Sequence, residues 1–587
     1  MIKLLKKMTK LDYFLALMVV VFTCAQTYLD LTLPDYMSEI TMLVQTPNSE
    51  MSEILVAGLK MMFCAVGSLA LAIVIAVIAA RIASNFSFIT RSRLFEKVMN
   101  FSMKEVNSFS ISSLITRTTN DITQIQQLIV IGMQMLVKAP ITAIWAITKI
   151  ANKNMSWTLV TAVAVVVLLS IVGTCMSLAI PRFKRMQILT DNINKVAKEG
   201  LDGLNVVRAY NAENYQADKF EVVNEDLTKN LLFTTKVMSF LMPSIQMISN
   251  GLILGIYFVG AVIINEAVGM SKVSLFSDMV VFSSYAMQVI ISFMMLVMVF
   301  MQLPRAGVAA KRINEVIDTV NSIVDGTQSD GISGSEGEVE FKNVSFKYPG
   351  GEDYVLKNIS FKANKGELVA FIGSTGCGKT SIINLIPRFY DASEGEVLVN
   401  GRNVKEFNKR SLNALIGYVS QRSILFGGTI KSNIAFGEDK ASGLDEIALE
   451  KALDTSMSNG FVQTLDNKSE SYVSQGGRNF SGGQKQRISI ARAIYKNPEI
   501  FIFDDSFSAL DYKTDKALRE ALNENYSNST MLIVGQRIGT IKDADKIVVL
   551  EYGEVVGIGK HSDLLSSCEV YKQIALSQLS EEELANA

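Results

Sequence analysis

The stretch Phe371-Ile-Gly-Ser-Thr-Gly-Cys-Gly-Lys-Thr-Ser381 decides the fold of this chain. Its segment Gly373–Thr380 fits the pattern G-x-x-x-x-G-K-[ST], between an apolar run at Leu368–Ile372 and a helical pattern at Ser381–Ile386. A strand, a glycine-rich loop and a helix in this order predict a phosphate-binding loop at a helix N-terminus. The residues expected to surround a triphosphate are Gly373, Ser374, Thr375, Gly376, Cys377, Gly378, Lys379, Thr380 and Ser381.

Two side chains of this loop have specific predicted roles. Lys379 would reach the β- and γ-phosphates of ATP, and the Thr380 hydroxyl would ligate Mg²⁺. The alternative is a chance glycine-rich turn, but the spacing and the strand–loop–helix setting both argue against it. The sequence therefore predicts an α/β nucleotide-binding cassette in the second half of the chain.

The composition differs between the two halves. The chain has 587 residues, 49% of them hydrophobic, and a net charge of −1. The apolar surplus lies almost entirely before residue 305. A nearly neutral chain has no global basic field, so nucleic acid is not expected as a partner. The five cysteines lack the spacing of a metal site or a disulfide framework, and no removable signal peptide is expected.

Six apolar segments in the first half approach or exceed the roughly 20 residues that a helix needs to cross a membrane. These predicted spans lie near residues 13–33, 54–80, 128–150, 157–180, 240–264 and 280–303. The loop 34–53 has no Lys or Arg, whereas the connections 81–127 and 181–239 are rich in both. The positive-inside rule therefore predicts a lipid-embedded protein of the cell membrane, with both termini and the long connections in the cytoplasm.

The two long connections carry helical patterns that extend beyond the membrane surface. Each is interrupted once, at Asn107–Ser110 and at Glu199–Gly203. Helices that project into the cytoplasm with a short turn at the tip would dock on a soluble domain. Two solvated hairpins are the alternative.

Some side chains in the predicted spans allow more than one interpretation. Asp30 and Lys60 lie near span ends and can reach the interface, whereas Lys138 is deeper and either lines a wet cavity or extends to the interface. Flexible methionines in spans five and six fit either a cavity for varied apolar shapes or ordinary helix packing. They are Met238, Met242, Met247, Met279, Met287, Met294, Met295, Met298 and Met301.

A polar segment rich in glycine and serine, at 325–337, separates the two halves. We predict a membrane domain at residues 1–318, a linker at 319–336 and a nucleotide-binding domain at 337–587.

The second half supplies further motifs in order. Tyr348, expected to be exposed, would stack on an adenine ring, and Gln421 follows a strand and would reach the metal or the attacking water. The segment Phe480–Arg487 leads into a helical pattern, and Ile500–Asp504 reads as a buried strand that ends in a carboxylate for Mg²⁺. Each motif is a modest signal alone, but together they are specific.

On these motifs the whole chain resembles a half-transporter of the ATP-binding cassette (ABC) superfamily, of the exporter type. The resemblance implies a six-helix type I exporter membrane domain fused ahead of the cassette, with ATP and Mg²⁺ as cofactors. It implies that Thr380, Gln421 and Asp504 hold the metal, and that the two interrupted tips are coupling helices. It also implies that two chains enclose two ATP molecules. The signature that would bind the other subunit's ATP is Ser481, Gly482, Gly483 and Gln484.

Two positions depart from the family pattern. Asp505 stands where the family usually has glutamate, and Gln536 stands at the usual switch histidine; the chain's single histidine is His561. Aspartate is one methylene shorter, and glutamine cannot titrate near neutrality. General-base catalysis is typically worth ~10²–10⁴ in rate, so this site is expected to bind ATP and hydrolyse it poorly. Asp505, Gln536 and Gln421 are the candidate catalytic groups, and neutral drift in a working enzyme is the alternative interpretation.

This pattern resembles the degenerate-site subunit of bacterial heterodimeric multidrug exporters. The resemblance implies a second, non-identical half-transporter as partner and small amphipathic or apolar compounds as substrates. Gln475 also departs from the family's usual glutamate, at a position that bears on contact with the partner's coupling helices. An importer and an ATP-gated protein that does not pump are the alternatives on the same scaffold.

Overall fold

A computed structural model describes residues 2–6, 8–46, 49–151, 154–267, 271–437 and 444–578. The chain divides into two compact units. The helical unit comprises Met1–Met99 and Ile111–Thr319, and the α/β unit comprises Asn100–Ser110 and Val320–Ala587. The α/β unit therefore includes a short segment from within the first 318 residues.

The first 318 residues are helical almost throughout. In chain order the helices are α1 Ile2–Leu5, α2 Lys10–Gln45, α3 Met51–Met99, α4 Met103–Phe109, α5 Ile111–Thr118, α6 Asn120–Ile131, a π-helical turn Gly132–Leu136, α7 Lys138–Ala151, α8 Met155–Asp202, α9 Leu204–Ala209, α10 Glu213–Glu266 and α11 Ser271–Asp318. Within the described residues, six helical stretches are long and apolar enough to cross a membrane, which confirms the six predicted spans.

The outer surface of the helical unit is apolar. Phe63, Val77 and Phe258 are all exposed on their helices, and at most 33% of the residues in the most apolar window of each span are buried. Such large apolar surfaces would be unfavourable in water and are normal against lipid tails. The helices also continue past the predicted spans. With a rise of 1.5 Å per residue, the 49 residues of α3 extend about 70 Å, against a hydrocarbon core of about 30 Å.

Two charged side chains within the spans, Asp30 and Lys138, form an ion pair that the sequence analysis did not predict. Lys138 Nζ lies 2.9 Å from Asp30 Oδ2, and the Ser68 hydroxyl also donates to Asp30. From the sequence, Asp30 is expected to be able to reach the interface, and Lys138 either to line a wet cavity or to extend to the interface. The structure brings them together because an unpaired charge is costly among apolar helices.

The interruption at Asn107–Ser110 appears as the end of α4, where Ser110 has φ +57°. This helix packs within the α/β unit. The Ser322 backbone N–H donates to Glu105 Oε1 at 3.2 Å, and Asn107 Nδ2 donates to Tyr390 Oη at 3.3 Å. The second predicted tip appears as the end of α8 and the short α9, both within the helical unit, and its docking stays a prediction.

The α/β unit contains three sheets. Its strands are β1 Val339–Phe346, β2 Leu356–Ala363, β3 Leu368–Gly373, β4 Glu394–Val399, β5 Arg402–Asn403, β6 Ile416–Val419, β7 Gly428–Thr429, β8 Tyr472–Val473, β9 Ile500–Asp504, β10 Thr530–Val534, β11 Lys546–Glu551 and β12 Glu554–Gly559. The largest sheet has the order β12-β11-β3-β10-β9-β6, and β11 to β6 are parallel. The others are β2-β1-β4-β5 and β7-β8.

Helices cover the parallel sheet on both faces, as its fully apolar strands require. They are α12 Lys379–Leu385, α13 Lys409–Leu415, α14 Ile430–Ile434, α15 Glu446–Thr455, α16 Asn459–Val462, α17 Gly482–Tyr495, α18 Tyr512–Asn525, α19 Ile538–Ile541, α20 His561–Ser567 and α21 Glu569–Leu576. All five residues of β9 and of β10 are buried. The fold class predicted from the sequence is confirmed in both halves.

Candidate functional site

The candidate site lies where parallel strands of the largest sheet end. Val534 at the end of β10 is in register with Asp504 at the end of β9 and with Phe371 in β3, while Val419 of β6 is in register with Phe503. In open parallel sheets the carboxyl ends of the strands form the ligand-binding edge. The sheet therefore brings together the four strand-end segments that the sequence analysis singles out.

The phosphate loop follows β3 and folds around Lys379. The Lys379 ammonium donates to Gly373 O at 2.8 Å and to Ser374 O at 2.9 Å, and only 9% of the residue is exposed. Cys377 Sγ lies 3.6 Å from the same nitrogen. These contacts hold one positive charge inside the loop, beside the backbone N–H groups that a phosphate would meet.

Glycine is required at two loop positions for steric reasons. Gly378 has φ +100°, and a β-carbon there would lie 2.6 Å from Leu356 Cδ2. A β-carbon on Gly373 would lie 2.1 Å from Leu550 O of the neighbouring strand β11. Both positions exclude a side chain because the loop packs directly on surrounding chain.

Thr380 and Asp504 form the predicted metal pair. Thr380 Oγ1 donates to Asp504 Oδ1 at 3.0 Å, and Asp504 is buried. Burial raises the pKa of the Asp504 carboxyl, and the hydrogen bond from Thr380 partly opposes that change. Hydroxyl, carboxylate and amide oxygens are ligands that Mg²⁺ accepts, so Thr380, Asp504 and nearby Gln421 fit this ion. A bound cation would favour the ionised carboxylate.

Asp505, Gln536 and Gln421 form one hydrogen-bonded cluster. Gln536 Nε2 donates to Asp505 Oδ2 at 2.9 Å, and Gln421 Nε2 lies 3.5 Å from the same oxygen. Burial raises the pKa of the Asp505 carboxyl, while hydrogen bonds from Gln421 and Ser508 act in the opposite direction. The three candidate catalytic side chains therefore meet at one carboxylate oxygen.

Tyr348 is half-buried, which corrects the expectation of an exposed ring. Its hydroxyl is 2.9 Å from Ser381 Oγ of the phosphate loop. Its ring makes edge contacts with Phe346 at 4.9 Å and with Tyr390 at 5.2 Å between centroids. The ring is partly covered because it packs against Tyr390 and against Phe346, the last residue of β1, which belongs to the core.

Tyr390 was not identified by sequence reasoning. Its ring contacts Tyr348, its hydroxyl accepts the hydrogen bond from Asn107 of α4, and burial raises the pKa of this hydroxyl. Asn107, Tyr390, Tyr348 and Ser381 thus form a continuous path of contacts from α4 to the phosphate loop. An aromatic residue shortly after the loop helix is the only sequence signal for it.

The signature residues lie at the N-terminus of α17. Ser481 caps the helix: its hydroxyl accepts from Gln484 N at 3.3 Å, and Gln484 Oε1 accepts from Ser481 N at 2.9 Å. Ser481 and Gly482 are exposed, and Gly483 is half-buried. In the described part of the chain, both of these hydrogen bonds are between Ser481 and Gln484, and neither involves the phosphate loop. The helix presents its positive end outward.

Two remaining sequence predictions concern residues outside this cluster. His561 is buried in α20, and its Nδ1 lies 2.6 Å from Tyr571 Oη, so it takes no part in the cluster. Gln475 is exposed in a 3₁₀ turn, Gln475–Gly477, ahead of the signature.

Two family models match the chain. The ABC transporter model matches residues 356–508, and the ABC transporter transmembrane region matches residues 16–299. An ABC transporter ATP-binding protein of Mycobacterium tuberculosis is 36% identical over 527 residues, which is 89% of this chain and 88% of the relative. The chain belongs to the ABC transporter family. As an ABC transporter with six apolar spans, it is a multi-pass membrane protein with an ATP-binding, ATP-hydrolysing domain.

Other relatives of this ABC transporter are more distant. The ABC transporter ATP-binding protein YfiB of Bacillus subtilis is 35% identical over 505 residues, 86% of each chain. An ATP-dependent lipid A-core flippase of Aromatoleum aromaticum is 28% identical over 508 residues, 86% of this chain and 82% of that one. The solved structure of a bacterial Atm1-family ABC exporter with ATP bound has a TM-score of 0.81 at 22% identity. It covers 97% of this chain and 98% of its own, which shows an exporter fold.

Proposed function

We propose that this ABC transporter is one subunit of a heterodimeric, ATP-driven exporter of amphipathic or apolar compounds, and that its own ATP site hydrolyses slowly. The observation that carries the proposal is the hydrogen bond from Gln536 to Asp505. It places a side chain that cannot become cationic against the carboxylate that would have to activate water.

The pair weakens catalysis in two ways. A raised pKa would by itself make Asp505 a better base, but Oδ2 already accepts a hydrogen bond from Gln536, and the short side chain limits its reach. Gln536 can donate a hydrogen bond to a γ-phosphate but cannot supply the positive charge of a protonated histidine. The site keeps the groups that hold Mg·ATP and lacks a well-placed pair to activate water.

The same chain supports hydrolysis in a partner. Ser481 and Gly482 are exposed at the N-terminus of the 14-residue helix α17, where backbone N–H groups and the helix dipole favour an anion. We assign this surface to the γ-phosphate of ATP held by a second, non-identical half-transporter. Within this chain, Lys379, Thr380, Asp504 and Gln421 would hold Mg·ATP, and Tyr348 would contact the adenine.

Export from the cytoplasm is the proposed direction. The exporter fold and the likeness to a lipid A-core flippase support it. The excess of Lys and Arg in the two long connections supports a cytoplasmic N-terminus and ATP-binding domain. The protein would act in the cell membrane on small amphipathic molecules that reach it from the cytoplasmic side or from the inner leaflet.

Transport in inverted membrane vesicles tests this function. Vesicles that contain the tagged chain with its co-purifying partner should accumulate a fluorescent amphipathic dye against its gradient when ATP is added. Vesicles with the Ser481→Arg variant should not. ATP-dependent conductance without accumulation would establish the gated, non-pumping alternative, and ATP-driven efflux from inverted vesicles would establish import.

A further inference from the structure

A cavity of about 430 Å³ lies within the helical unit, among the π-helical turn and helices α8, α10 and α11. Its size is within the roughly 300–1,000 Å³ of small-molecule sites. Six methionines define this methionine cavity: Met135, Met238, Met242, Met294, Met298 and Met301.

The spacing of these methionines explains why they share a cavity. On α11, Met294, Met298 and Met301 are followed by Arg305, with intervals of four, three and four residues that place all four on one helix face. On α10, Met238 and Met242 are one turn apart. Met279, by contrast, is buried against Gly260. Helix packing therefore explains Met279 but does not explain the six methionines of the cavity.

The polar end of the cavity is positive. Gln302 and Arg305 line it, and the Arg305 guanidinium carbon is 5.8 Å from the centre of the Phe183 ring, which also lines the cavity. No carboxylate is among the lining residues that the structure describes. Other arginines of the unit do face carboxylates: Arg312 pairs with Asp121 at 3.4 Å. An aromatic neighbour leaves the charge of Arg305 available to a ligand.

We propose that the methionine cavity binds small amphipathic anions, with Arg305 contacting the anionic group and the methionines the apolar body. The inference rests on the proposed export function and names its substrate class. Thioethers adapt to many apolar shapes, which makes the apolar part of the site permissive. The guanidinium forms charge-assisted hydrogen bonds with carboxylate, sulfonate or phosphate oxygens, which makes the charged part selective.

Two dyes that share an aromatic body test the inference. The full chain is placed in nanodiscs of zwitterionic lipid, and binding of 1-anilinonaphthalene-8-sulfonate and of uncharged N-phenyl-1-naphthylamine is measured by fluorescence, with empty discs subtracted. Arg305→Gln should weaken binding of the sulfonate about 5- to 10-fold and change binding of the uncharged dye less than 2-fold. Arg305→Lys should retain most of the sulfonate affinity.

Arg182→Gln is the matched control, because the Arg182 guanidinium rests on Phe233 at 4.6 Å and does not line the cavity. It should change neither dye. Met298→Gln tests the location and should weaken both dyes. Equal effects of Arg305→Gln on the two dyes, or no effect of Met298→Gln on either, would overturn the inference.

The outcome is separable from that of the proposed function. ATP-driven accumulation of both dyes, with accumulation of the sulfonate unaffected by Arg305→Gln, would leave export standing and overturn the anion assignment. Arg305-dependent binding of the sulfonate, in a complex that accumulates neither dye, would support the cavity assignment and overturn export.

Discussion

Asp505 differs from its neighbour Asp504 in backbone as well as in partners. Asp505 has φ +48°, in the left-handed region that non-glycine residues rarely occupy, and its N–H donates to Val534 O at 3.1 Å. Asp504 is the last residue of β9 and points to Thr380. The turn between them separates the carboxylate that we propose for Mg²⁺ from one that faces Gln536, so the two acids would have different tasks.

Substitutions in this chain should have unequal effects on the complex with its partner. Ser481→Arg blocks the surface assigned to the partner's ATP and should nearly abolish turnover. Asp505→Asn affects the site that we propose to be slow and should lower turnover less than ~10-fold, whereas removing a base from a working site usually costs ~10²–10⁴. Steady-state ATP hydrolysis of the purified complex measures both.

Glu520→Gln is the control, because this exposed residue of α18 forms a surface pair with Lys516 at 3.8 Å, away from the phosphate loop in sequence. The partner's own glutamate-to-glutamine change should be the severe one. Losses from Asp505→Asn as large as those from the partner's change would mean that both sites share the chemistry.

ATP should remain on this chain through several cycles of the partner site. Lys379, Thr380 and Asp504 are the residues proposed to hold Mg·ATP. We expect Asp505, which accepts a hydrogen bond from Gln536, to activate water poorly. Photo-crosslinking with 8-azido-ATP during turnover, followed by nucleotide analysis of this chain, should recover mainly triphosphate. Lys379→Ala should lose the label, and a predominance of diphosphate would count against a slow site.

At the residue scale, the phosphate loop could be predicted from its local motif. Contacts between residues far apart in the chain could not be predicted. The roles proposed for Lys379 and Thr380 depend on eight consecutive residues. The partial burial of Tyr348 depends on Tyr390, and the position of Tyr390 depends on Asn107, which is 283 residues away in the chain. Such contacts cannot be read from spacing.

At the level of elements, α4 and the phosphate loop are joined through Tyr390. Tyr390→Phe removes the hydroxyl that accepts from Asn107 but keeps the ring against Tyr348. One neutral hydrogen bond is worth about 0.5–1.5 kcal/mol, so we expect substrate-stimulated turnover to fall roughly 2- to 10-fold. Affinity for Mg·ATP, measured by calorimetry, should change less than about 2-fold, because the ring that contacts Tyr348 remains.

Tyr354→Phe provides the comparison, since its hydroxyl bonds to Glu394 at 2.9 Å and not to α4. It should leave stimulated turnover unchanged. A loss of nucleotide affinity in Tyr390→Phe equal to its loss of stimulation would show that the hydroxyl supports the nucleotide site alone.

The ion pair between α2 and α7 should stabilise the helical unit. Asp30→Asn leaves the Lys138 ammonium without its carboxylate among apolar helices and should lower the free energy of unfolding by roughly 1.5–3 kcal/mol. The double variant Asp30→Asn/Lys138→Met removes both charges and should recover part of that loss. Thermal unfolding in detergent compares the stability of the unmodified chain, the Asp30→Asn variant and the double variant.

Lys60→Gln, on an exposed face of α3, serves as the control and should melt like the unmodified chain. A double variant that is no more stable than Asp30→Asn would show that Asp30 and Lys138 do not interact in the folded protein.

The membrane-spanning helices could be predicted where a run of apolar residues shows their position. Five of the predicted spans lie within a single observed helix, and the span 128–150 crosses α6, the π-helical turn and α7. The helices extend well past the spans, as Met51–Met99 does past 54–80. Hydropathy reports the lipid-facing part of a helix and is silent on where its backbone hydrogen bonding stops. The pairing of Asp30 with Lys138 escaped prediction because the two residues are 108 positions apart.

For the whole molecule, the proposed function requires two different chains with different catalytic roles. Every copy of this chain carries Asp505 and Gln536, so an assembly of identical copies would contain no site with the family's usual catalytic pair. We propose that the exposed signature at the start of α17 serves the ATP of a second chain. A partner with glutamate and histidine at the two positions would complete one fast site.

The most direct test is ATP turnover by the purified chain alone in lipid nanodiscs. We expect a rate of ATP turnover far below ~1 s⁻¹, which is the lower end of typical enzyme turnover, and no stimulation by substrate. The double variant Asp505→Glu/Gln536→His, which restores both catalytic groups, should be faster by at least about 10-fold if the chain self-associates. Rapid, substrate-stimulated hydrolysis by the unmodified chain alone would contradict the central claim.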